Sequence, residues 1–247
     1  MIEATGASEA SRAPQARVQQ IGAGLAAVER RIAAACAGAG RSRNDVCLVV
    51  VTKFFPASDV RALVDLGVTD IGENRDQEAA AKVSQLRAGG TVLPRIHFIG
   101  QLQTNKAASV AGYADAVHSL DRVKLARALD RGTQRAGRTL DVLLQVSLDG
   151  DTSRGGVAES GVPELARVVQ GSAALRLRGL MAVAPIAADP REAFAHLASV
   201  HARLLADHPQ ATWCSAGMSG DLEAAVAAGS THLRVGSAIL GSRPEHD

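Results

Sequence analysis

Aromatic residues make up only 2% of this 247-residue chain, and their scarcity argues against one large class of function. Proteins that bind nucleic acid stack bases on aromatic side chains and gather basic residues on one surface. Here the Lys and Arg residues are dispersed along the chain, and the formal net charge is only +2. We therefore expect no nucleic-acid partner, and we expect a core built mainly from Ala, Val and Leu.

Cysteines and long apolar runs are also few. The three cysteines (Cys36, Cys47 and Cys214) are an odd set without CxxC spacing, which is typical of reduced thiols in a cytoplasmic protein. The histidines show no metal-ligand pattern such as HExxH. Neither a signal peptide nor an apolar run of membrane-spanning length is present in the sequence. We expect a soluble cytoplasmic protein without a metal site or a membrane contact.

Apolar periodicity divides the chain into one helix followed by eight repeats of a strand and a helix. Residues 1–16 lack such periodicity and are predicted to be a disordered tail, whereas residues 17–247 are predicted to form one domain. The first predicted helix covers residues 17–37. The predicted strands are residues 46–52, 68–72, 95–99, 116–119, 141–148, 177–183, 212–215 and 232–235. The predicted helices between them are residues 59–66 (with Ser58 as N-cap), 75–87, 104–111, 123–136, 161–170, 190–207 and 221–228.

This alternation predicts the fold class. Strands that alternate with helices form parallel sheets with right-handed crossovers. Eight such units in roughly 250 residues are what a TIM-type (β/α)₈ barrel requires. A doubly wound open sheet is the alternative, but a dinucleotide fold would place a GxGxxG motif after the first strand, where none is present. We therefore predict a single (β/α)₈ barrel preceded by an N-terminal helix.

A lysine, Lys53, ends the first predicted strand. In a barrel of this kind the chemistry lies at the C-terminal ends of the strands. A lysine held there can be partly desolvated, and its amine then becomes a nucleophile toward a carbonyl group. The alternative is a strand-end lysine that simply extends its ammonium group into solvent.

Small residues follow the last two predicted strands, in residues 215–220 and at Gly236 and Ser237. Such residues let backbone N–H groups approach a ligand, and helix N-termini favour an anion. The loops after strands seven and eight are also the usual phosphate site of these barrels. Two glycine-containing turns without a ligand are the alternative. A phosphate site that faces a strand-end lysine favours pyridoxal 5′-phosphate, whose aldehyde would form a Schiff base with Lys53.

Several short motifs, taken together and in their order, resemble the pyridoxal phosphate homeostasis protein family over roughly residues 17–243. The family consists of single-domain barrels similar to the N-terminal domain of alanine racemase, which carry the cofactor without established catalysis. The motifs are Thr52-Lys53 with Pro56, Gly72-Glu73-Asn74-Arg75, His97-Phe98-Ile99-Gly100, Gly179-Leu180-Met181, Gly217-Met218-Ser219 and Arg234-Val235-Gly236-Ser237-Ala238-Ile239.

The resemblance implies a role for each candidate cofactor-binding residue. Lys53 would form the internal aldimine, and Arg234 would face the pyridine nitrogen. An arginine paired to a carboxylate such as Glu73 is the alternative for Arg234. The residues implied to hold the phosphate are Met218, Ser219, Gly236 and Ser237; those near the ring are Asn74 and Met181; Ser215 and Gly217 complete the set.

The chain departs from the family pattern at a few positions. Phe54 follows the key lysine where the family has a small polar residue, and Ala216 replaces a usual methionine. Ser237 replaces a common threonine but keeps the hydroxyl. Arg154 stands where the family often has lysine, so the contacts of residues 151–156 stay open.

Two main functions are compatible with these residues. The resemblance implies a non-enzymatic carrier that acts in cofactor homeostasis, and the alternative is a racemase-type enzyme with weak activity. A racemase needs a base on each face of the substrate carbon, and related racemases take the second from a tyrosine of a C-terminal β-domain. This sequence ends at Asp247, and its one tyrosine, Tyr113, falls at the end of the predicted helix after strand three. We expect a monomeric carrier with apoenzymes as candidate recipients; a barrel that binds another phosphorylated metabolite non-covalently is a third reading.

Overall fold

The computed structural model describes residues 13–242, so most of the predicted tail lies outside the described residues. The first helix, α1, covers Gln15–Gly38 and begins at Gln15 rather than at the predicted position 17. The apolar periodicity missed the first turn because that turn carries polar residues.

Eight parallel strands close into a barrel in the order of the sequence. The closing pair joins the first strand to the last, with Val50 opposite Val235. This arrangement confirms the predicted (β/α)₈ barrel with its N-terminal helix and rules out the open sheet. The strands are β1 (Cys47–Val51), β2 (Asp70–Glu73), β3 (Arg95–Phe98), β4 (Ala116–Leu120), β5 (Leu140–Gln145), β6 (Leu175–Met181), β7 (Trp213–Ser215) and β8 (His232–Val235).

The helices cover the outside of the barrel. They are α2 (Ala57–Asp65), α3 (Asp76–Ala88), α4 (Ala107–Ala111), α5 (Val123–Arg135), α6 (Val162–Gln170), α7 (Pro190–Asp207), α8 (Leu222–Ala227) and α9 (Ser237–Leu240). Several predicted bounds were wrong in detail: β5 ends at Gln145 and β6 at Met181, where residues 148 and 183 were predicted, and two helices also differ. The N-cap of α2 is Pro56 without a side-chain hydrogen bond, because the helix already begins at Ala57 and Ser58 lies inside its first turn. The predicted helix 104–111 is divided into a 3₁₀ turn and α4.

Apolar side chains, most of them aliphatic, fill the layer between strands and helices. Phe98, Ile71 and Leu63 are among the largest fully buried side chains, and full burial of such a side chain contributes about 1.5–3 kcal/mol. The space enclosed by the strands is different, because it contains the polar side chains of His97, His118 and other residues that hydrogen-bond across the barrel. The protein therefore has two distinct interiors. The expected core of Ala, Val and Leu is the layer between strands and helices, and the space inside the barrel is polar.

Helix α1 packs against the segments that follow β7 and β8. A Cβ atom at Gly24 would lie 2.5 Å from the carbonyl oxygen of Ile239, so only glycine allows α1 to approach α9 this closely. Arg31 of α1 makes two hydrogen bonds to Glu223, at 2.8 and 2.9 Å, and donates a third to the carbonyl oxygen of Ser219. The N-terminal helix thus supports one side of the barrel rim.

Candidate functional site

Lys53 lies just after β1 at the C-terminal rim of the barrel and is half-buried. The next residue, Phe54, has φ = 70°, a left-handed conformation that bulky residues rarely adopt. Its backbone N–H donates to the carboxylate of Glu78. Two cations lie near the Phe54 ring, whose centroid is 5.7 Å from Lys53 Nζ and 5.3 Å from the guanidinium carbon of Arg75. The chain therefore turns sharply after Lys53, beside an aromatic ring.

A buried ion pair lies next to this turn. Lys82 Nζ is 2.6 Å from Glu73 Oε1 and 2.7 Å from the carbonyl oxygen of Thr52, the residue before Lys53. The Thr52 hydroxyl donates to the same carboxylate oxygen at 2.6 Å. Burial raises the pKa of Glu73 above its ordinary value, although the charge of Lys82 opposes that shift. The cluster fixes the end of β1. The sequence motifs do not include Lys82, although a buried strand-end Glu73 requires a cationic partner and Lys82 was the candidate on the next helix.

Asn74 and Met181 occupy the rim beyond β2 and at the end of β6. The backbone of Gly100 packs directly on Asn74, because a Cβ atom at Gly100 would lie only 2.1 Å from the Asn74 carbonyl oxygen. Met181 is buried and is paired with Ser215 across β6 and β7. Both residues are therefore held at the same rim as Lys53.

The two loops after β7 and β8 bring their serine hydroxyls together. The Oγ atoms of Ser219 and Ser237 are 3.3 Å apart, and the N-cap of α9 is Gly236. A Cβ atom at Gly236 would lie 3.0 Å from the carbonyl oxygen of Val51, so this loop rests directly against the end of β1. Two hydroxyls beside a helix start form an arrangement that can accept an anion. We call these two loops the serine cup.

Gly217 and Met218 shape the first loop of the serine cup. Gly217 has φ = 95°, and a Cβ atom there would clash with Ala225 and Leu233 at 2.6 and 2.7 Å. The backbone N–H of Met218 donates to the carboxylate of Asp221 at 2.6 Å, and its side chain is 39% exposed. The Met218 N–H is thus directed to Asp221 in this structure.

Arg234 points into the barrel and is only 5% exposed. Its Nη1 donates to Ser215 Oγ at 2.6 Å, and its Nη2 donates to the carbonyl oxygen of Ala182 at 2.9 Å. Burial lowers the pKa of Arg234 to about 10, so the side chain keeps its charge at neutral pH. Because Glu73 is paired with Lys82, the alternative pairing of Arg234 with Glu73 is not found.

The predicted site residues therefore fall into groups at one rim. Ser219 and Ser237 meet directly, Ser215 contacts Arg234, and Lys53 lies where β1 adjoins the loop of Gly236. Arg31, which supports the serine cup from α1, was missed, because nothing in the local sequence links a helix to a loop nearly two hundred positions away. Among residues 13–242, no helix is both long and apolar enough to cross a membrane.

Comparisons with known proteins give a consistent result. Residues 24–244 match the family model of the alanine racemase N-terminal domain. The pyridoxal phosphate homeostasis protein of Mycobacterium tuberculosis is 45% identical over 238 residues, covering 89% of this chain and 91% of that protein. The crystal structure of an unknown protein from Bifidobacterium adolescentis matches with 34% identity and a TM-score of 0.85, covering 92% of this chain and 97% of that one. PipY of Synechococcus elongatus, solved with pyridoxal phosphate bound, matches with 32% identity and a TM-score of 0.75, covering 90% and 100% respectively.

Proposed function

This chain belongs to the pyridoxal phosphate homeostasis protein family, and we propose that it binds pyridoxal 5′-phosphate through Lys53 and acts in cofactor homeostasis. PipY, a relative with the same fold, was solved with this cofactor bound. The cofactor supplies an aldehyde that condenses with an amine and a ring that can accept electrons.

The pairing of β1 with β8 is the observation that carries the proposal. Val50 lies opposite Val235, so strands β1 and β8 reach the barrel rim side by side. Strand β1 leads to Lys53, and strand β8 leads to Gly236 and Ser237. The backbone that leads to Lys53 thus adjoins a loop suited to a phosphate group, which supports the proposal. The residues fit the cofactor chemically, because an amine suits its aldehyde and hydroxyls with backbone N–H groups suit its phosphate.

The remaining candidate residues complete this assignment. Ser219, Gly236 and Ser237 would hold the phosphate together with the loop of Gly217 and Met218. Asn74 and Met181 would lie along the ring, and Arg234 would donate a hydrogen bond to the pyridine nitrogen. Lys82 is a poor rival for Lys53, because its ammonium group is buried and paired with Glu73.

We further propose that the protein carries the cofactor without turning over amino acids. A guanidinium group is a permanent donor, so beside Arg234 the ring nitrogen would be a neutral acceptor and the ring a weak electron sink. Tyr113 is also unsuited to act as a second base. Its hydroxyl lies 3.4 Å from Asp76, and burial raises its pKa above the ordinary value, so the phenol stays protonated at neutral pH. A monomeric, cytoplasmic carrier that passes the cofactor to apoenzymes is the form of this function that we favour.

Reduction with borohydride tests the covalent assignment. The purified protein with pyridoxal phosphate should show a visible band that borohydride removes, and peptide mapping should place the reduced label on Lys53. Lys53→Ala should lose the band, whereas Lys106→Ala, which changes a partly exposed lysine 4.0 Å from Asp76, should keep it. A label mainly on Lys106 or Lys82 would contradict the assignment.

The carrier role requires a separate experiment. The holoprotein should restore activity to an apoenzyme that depends on pyridoxal phosphate, and light scattering should give the mass of one chain. Retention of the cofactor in the presence of excess apoenzyme would count against transfer. Binding of the phosphorylated cofactor without a reducible band would favour the non-covalent metabolite reading.

A further inference from the structure

A line of hydrogen bonds crosses the interior of the barrel and ends at Arg234. Asp70 Oδ1 lies 2.8 Å from His97 Nε2, and His97 Nδ1 lies 2.8 Å from His118 Nε2. His118 Nδ1 lies 2.9 Å from Ser215 Oγ, which in turn accepts from Arg234 Nη1 at 2.6 Å. We call Asp70, His97, His118 and Ser215 the interior chain.

The interior chain connects the two ends of the barrel. Asp70 is the first residue of β2, at the N-terminal end, and its side chain is 12% exposed. His118 belongs to β4 and Ser215 to β7, two strands that are not neighbours, so their hydrogen bond spans the enclosed space. Both histidines and Ser215 are essentially inaccessible to solvent, and water therefore cannot easily replace a lost partner.

When both histidines are neutral, the two ends of the interior chain determine the direction of every hydrogen bond. Arg234 can only donate hydrogen bonds, so Ser215 accepts one from it. The Ser215 hydroxyl in turn donates a hydrogen bond to His118 Nδ1. His118 must then donate from Nε2 to His97 Nδ1, and His97 must donate from Nε2 to Asp70. Each neutral histidine then has its proton on Nε2.

The electrostatic surroundings agree with this assignment. Burial strongly lowers the pKa of His118, which favours its neutral form. For Asp70, burial would raise the pKa, but hydrogen bonds from His97 and Thr69 outweigh that effect and hold it below its ordinary value. Asp70 is thus an ionised acceptor and His118 a neutral link.

Aromatic rings and ion pairs close the N-terminal end around the interior chain. The ring of His232 lies 6.2 Å from that of His97, and Trp213 lies 4.3 Å from His232. Arg95 and Arg178 stand over Trp213, and both bind Asp141 at 2.8 Å. This second carboxylate lies at the same end of the barrel as Asp70 and bonds arginines instead of the histidines.

We propose that the interior chain consists of positioning residues that fix the guanidinium group of Arg234 and, through it, the electronic state of a pyridine ring bound at the rim. Ser215 thereby serves the cofactor through Arg234 and not by direct contact. The effect on the ring rests on the proposed function, whereas the effect on Arg234 does not. A substitution at Asp70, at the far end of the barrel, should therefore change the electronic state of the bound pyridine ring.

Nitrogen NMR on the cofactor-free protein tests the hydrogen-bond directions. Spectra of ¹⁵N-labelled histidine should show His97 and His118 neutral at neutral pH, each with the proton on Nε2. A cationic His118, or one protonated at Nδ1, would overturn the proposal. The Nη signals of Arg234 should indicate a slowly rotating guanidinium group that rotates faster in Asp70→Asn. Unchanged Arg234 signals in that variant would also overturn it.

Two matched pairs of variants test the effect on the cofactor. Asp141→Asn is the control for Asp70→Asn. Ser119→Ala is the control for Ser215→Ala, because the Ser119 hydroxyl is buried and has no hydrogen-bond partner within residues 13–242. The two test variants should shift the ¹⁵N resonance of the labelled ring nitrogen, and Ser215→Ala should weaken binding about tenfold, as expected for a lost hydrogen bond to a charged group.

The outcomes separate this proposal from the proposed function. Ser215→Thr keeps the hydroxyl and should restore the ring-nitrogen resonance. Equal effects of the test and control variants would show that the interior chain does not position Arg234. If the wild-type protein binds no pyridoxal phosphate, the proposed function fails, and the Arg234 signals of cofactor-free Asp70→Asn still decide whether the interior chain positions the arginine.

Discussion

Replacing Lys82 by methionine should destabilise the barrel at neutral pH and much less in mild acid. Lys82 and Glu73 are 5% and 1% exposed, and the two charged groups are 2.6 Å apart. The second carboxylate oxygen, Oε2, has no hydrogen-bond partner in the part of the chain that the structure describes. The variant would therefore leave a buried carboxylate whose charge no cation compensates, held by the hydroxyl of Thr52.

The expected loss follows from that arrangement. Removing one partner of a buried ion pair costs about 3–5 kcal/mol, because the remaining charge stays buried. The pKa of Glu73 is already raised by burial, and loss of Lys82 would raise it further. A carboxyl whose folded pKa exceeds its unfolded value of about 4.3 contributes stability below that value and loses it as the pH rises through the folded pKa. The destabilisation should thus be largest at neutral pH and shrink as the carboxyl becomes protonated.

Urea unfolding followed by circular dichroism measures this effect at about pH 5 and about pH 8. Lys106→Met is the matched control, and because that lysine is 37% exposed the stability should change by less than about 0.5 kcal/mol. A double variant, Glu73→Gln with Lys82→Met, should recover most of the loss, since it removes both charges. An equal loss at both pH values, or a double variant as unstable as the sum of the single ones, would refute the reasoning.

Three further predictions concern phosphate binding, the packing of α1 and the turnover of amino acids. Ser219→Ala and Ser237→Ala should each weaken cofactor binding by about 1.5–3 kcal/mol in a titration, and pyridoxal without phosphate should bind far less tightly; equal affinities for the two forms would show that the serine cup holds no phosphate. Gly24→Ala should cost about 1–3 kcal/mol in urea unfolding because a Cβ atom would meet the Ile239 carbonyl at 2.5 Å, whereas Gly22→Ala, whose Cβ atom would lie 3.7 Å from a leucine methyl, should be tolerated; equal costs would contradict the close packing of α1 on α9. The holoprotein should not racemise or transaminate a panel of L- and D-amino acids. Turnover on the order of 1 s⁻¹, detected by chiral chromatography, would instead support the hypothesis of a racemase-type enzyme.

Local sequence patterns were enough to predict the fold because each barrel unit is a local feature. Strand β8 and helix α7 were predicted with the bounds that the structure has, residues 232–235 and 190–207. Apolar runs and helical periodicity report on neighbours within a few positions, and the strand ends then fall at one rim by topology. Lys53, Ser219 and Ser237 could be assigned to that rim for the same reason. The short segment 104–111 was less predictable, since 3₁₀ and α conformations differ little in sequence.

The tertiary structure alone decided which polar residues meet inside the barrel. The seven histidines are scattered and have no motif spacing, yet His97 and His118 come together because β3 and β4 are adjacent. Ser215, predicted as a cofactor contact, proves to be tied to Arg234 and His118. Contacts of this kind depend on the direction in which each side chain leaves a closed barrel.

The residues that support the rim also show which contacts local sequence can predict and which it cannot. The sequence by itself determined the order of strands and helices, the strand-end lysine and the two glycine-containing loops, because these depend on local periodicity and residue type. Lys82 and Glu73 lie nine positions apart in one strand-helix unit, so their pairing was within reach of local sequence, whereas only the closed barrel decided that Arg31 would hold the serine cup. The contact of Arg31 arises because barrel closure fixes the distance between residues that are far apart in the chain, and no local pattern encodes that distance.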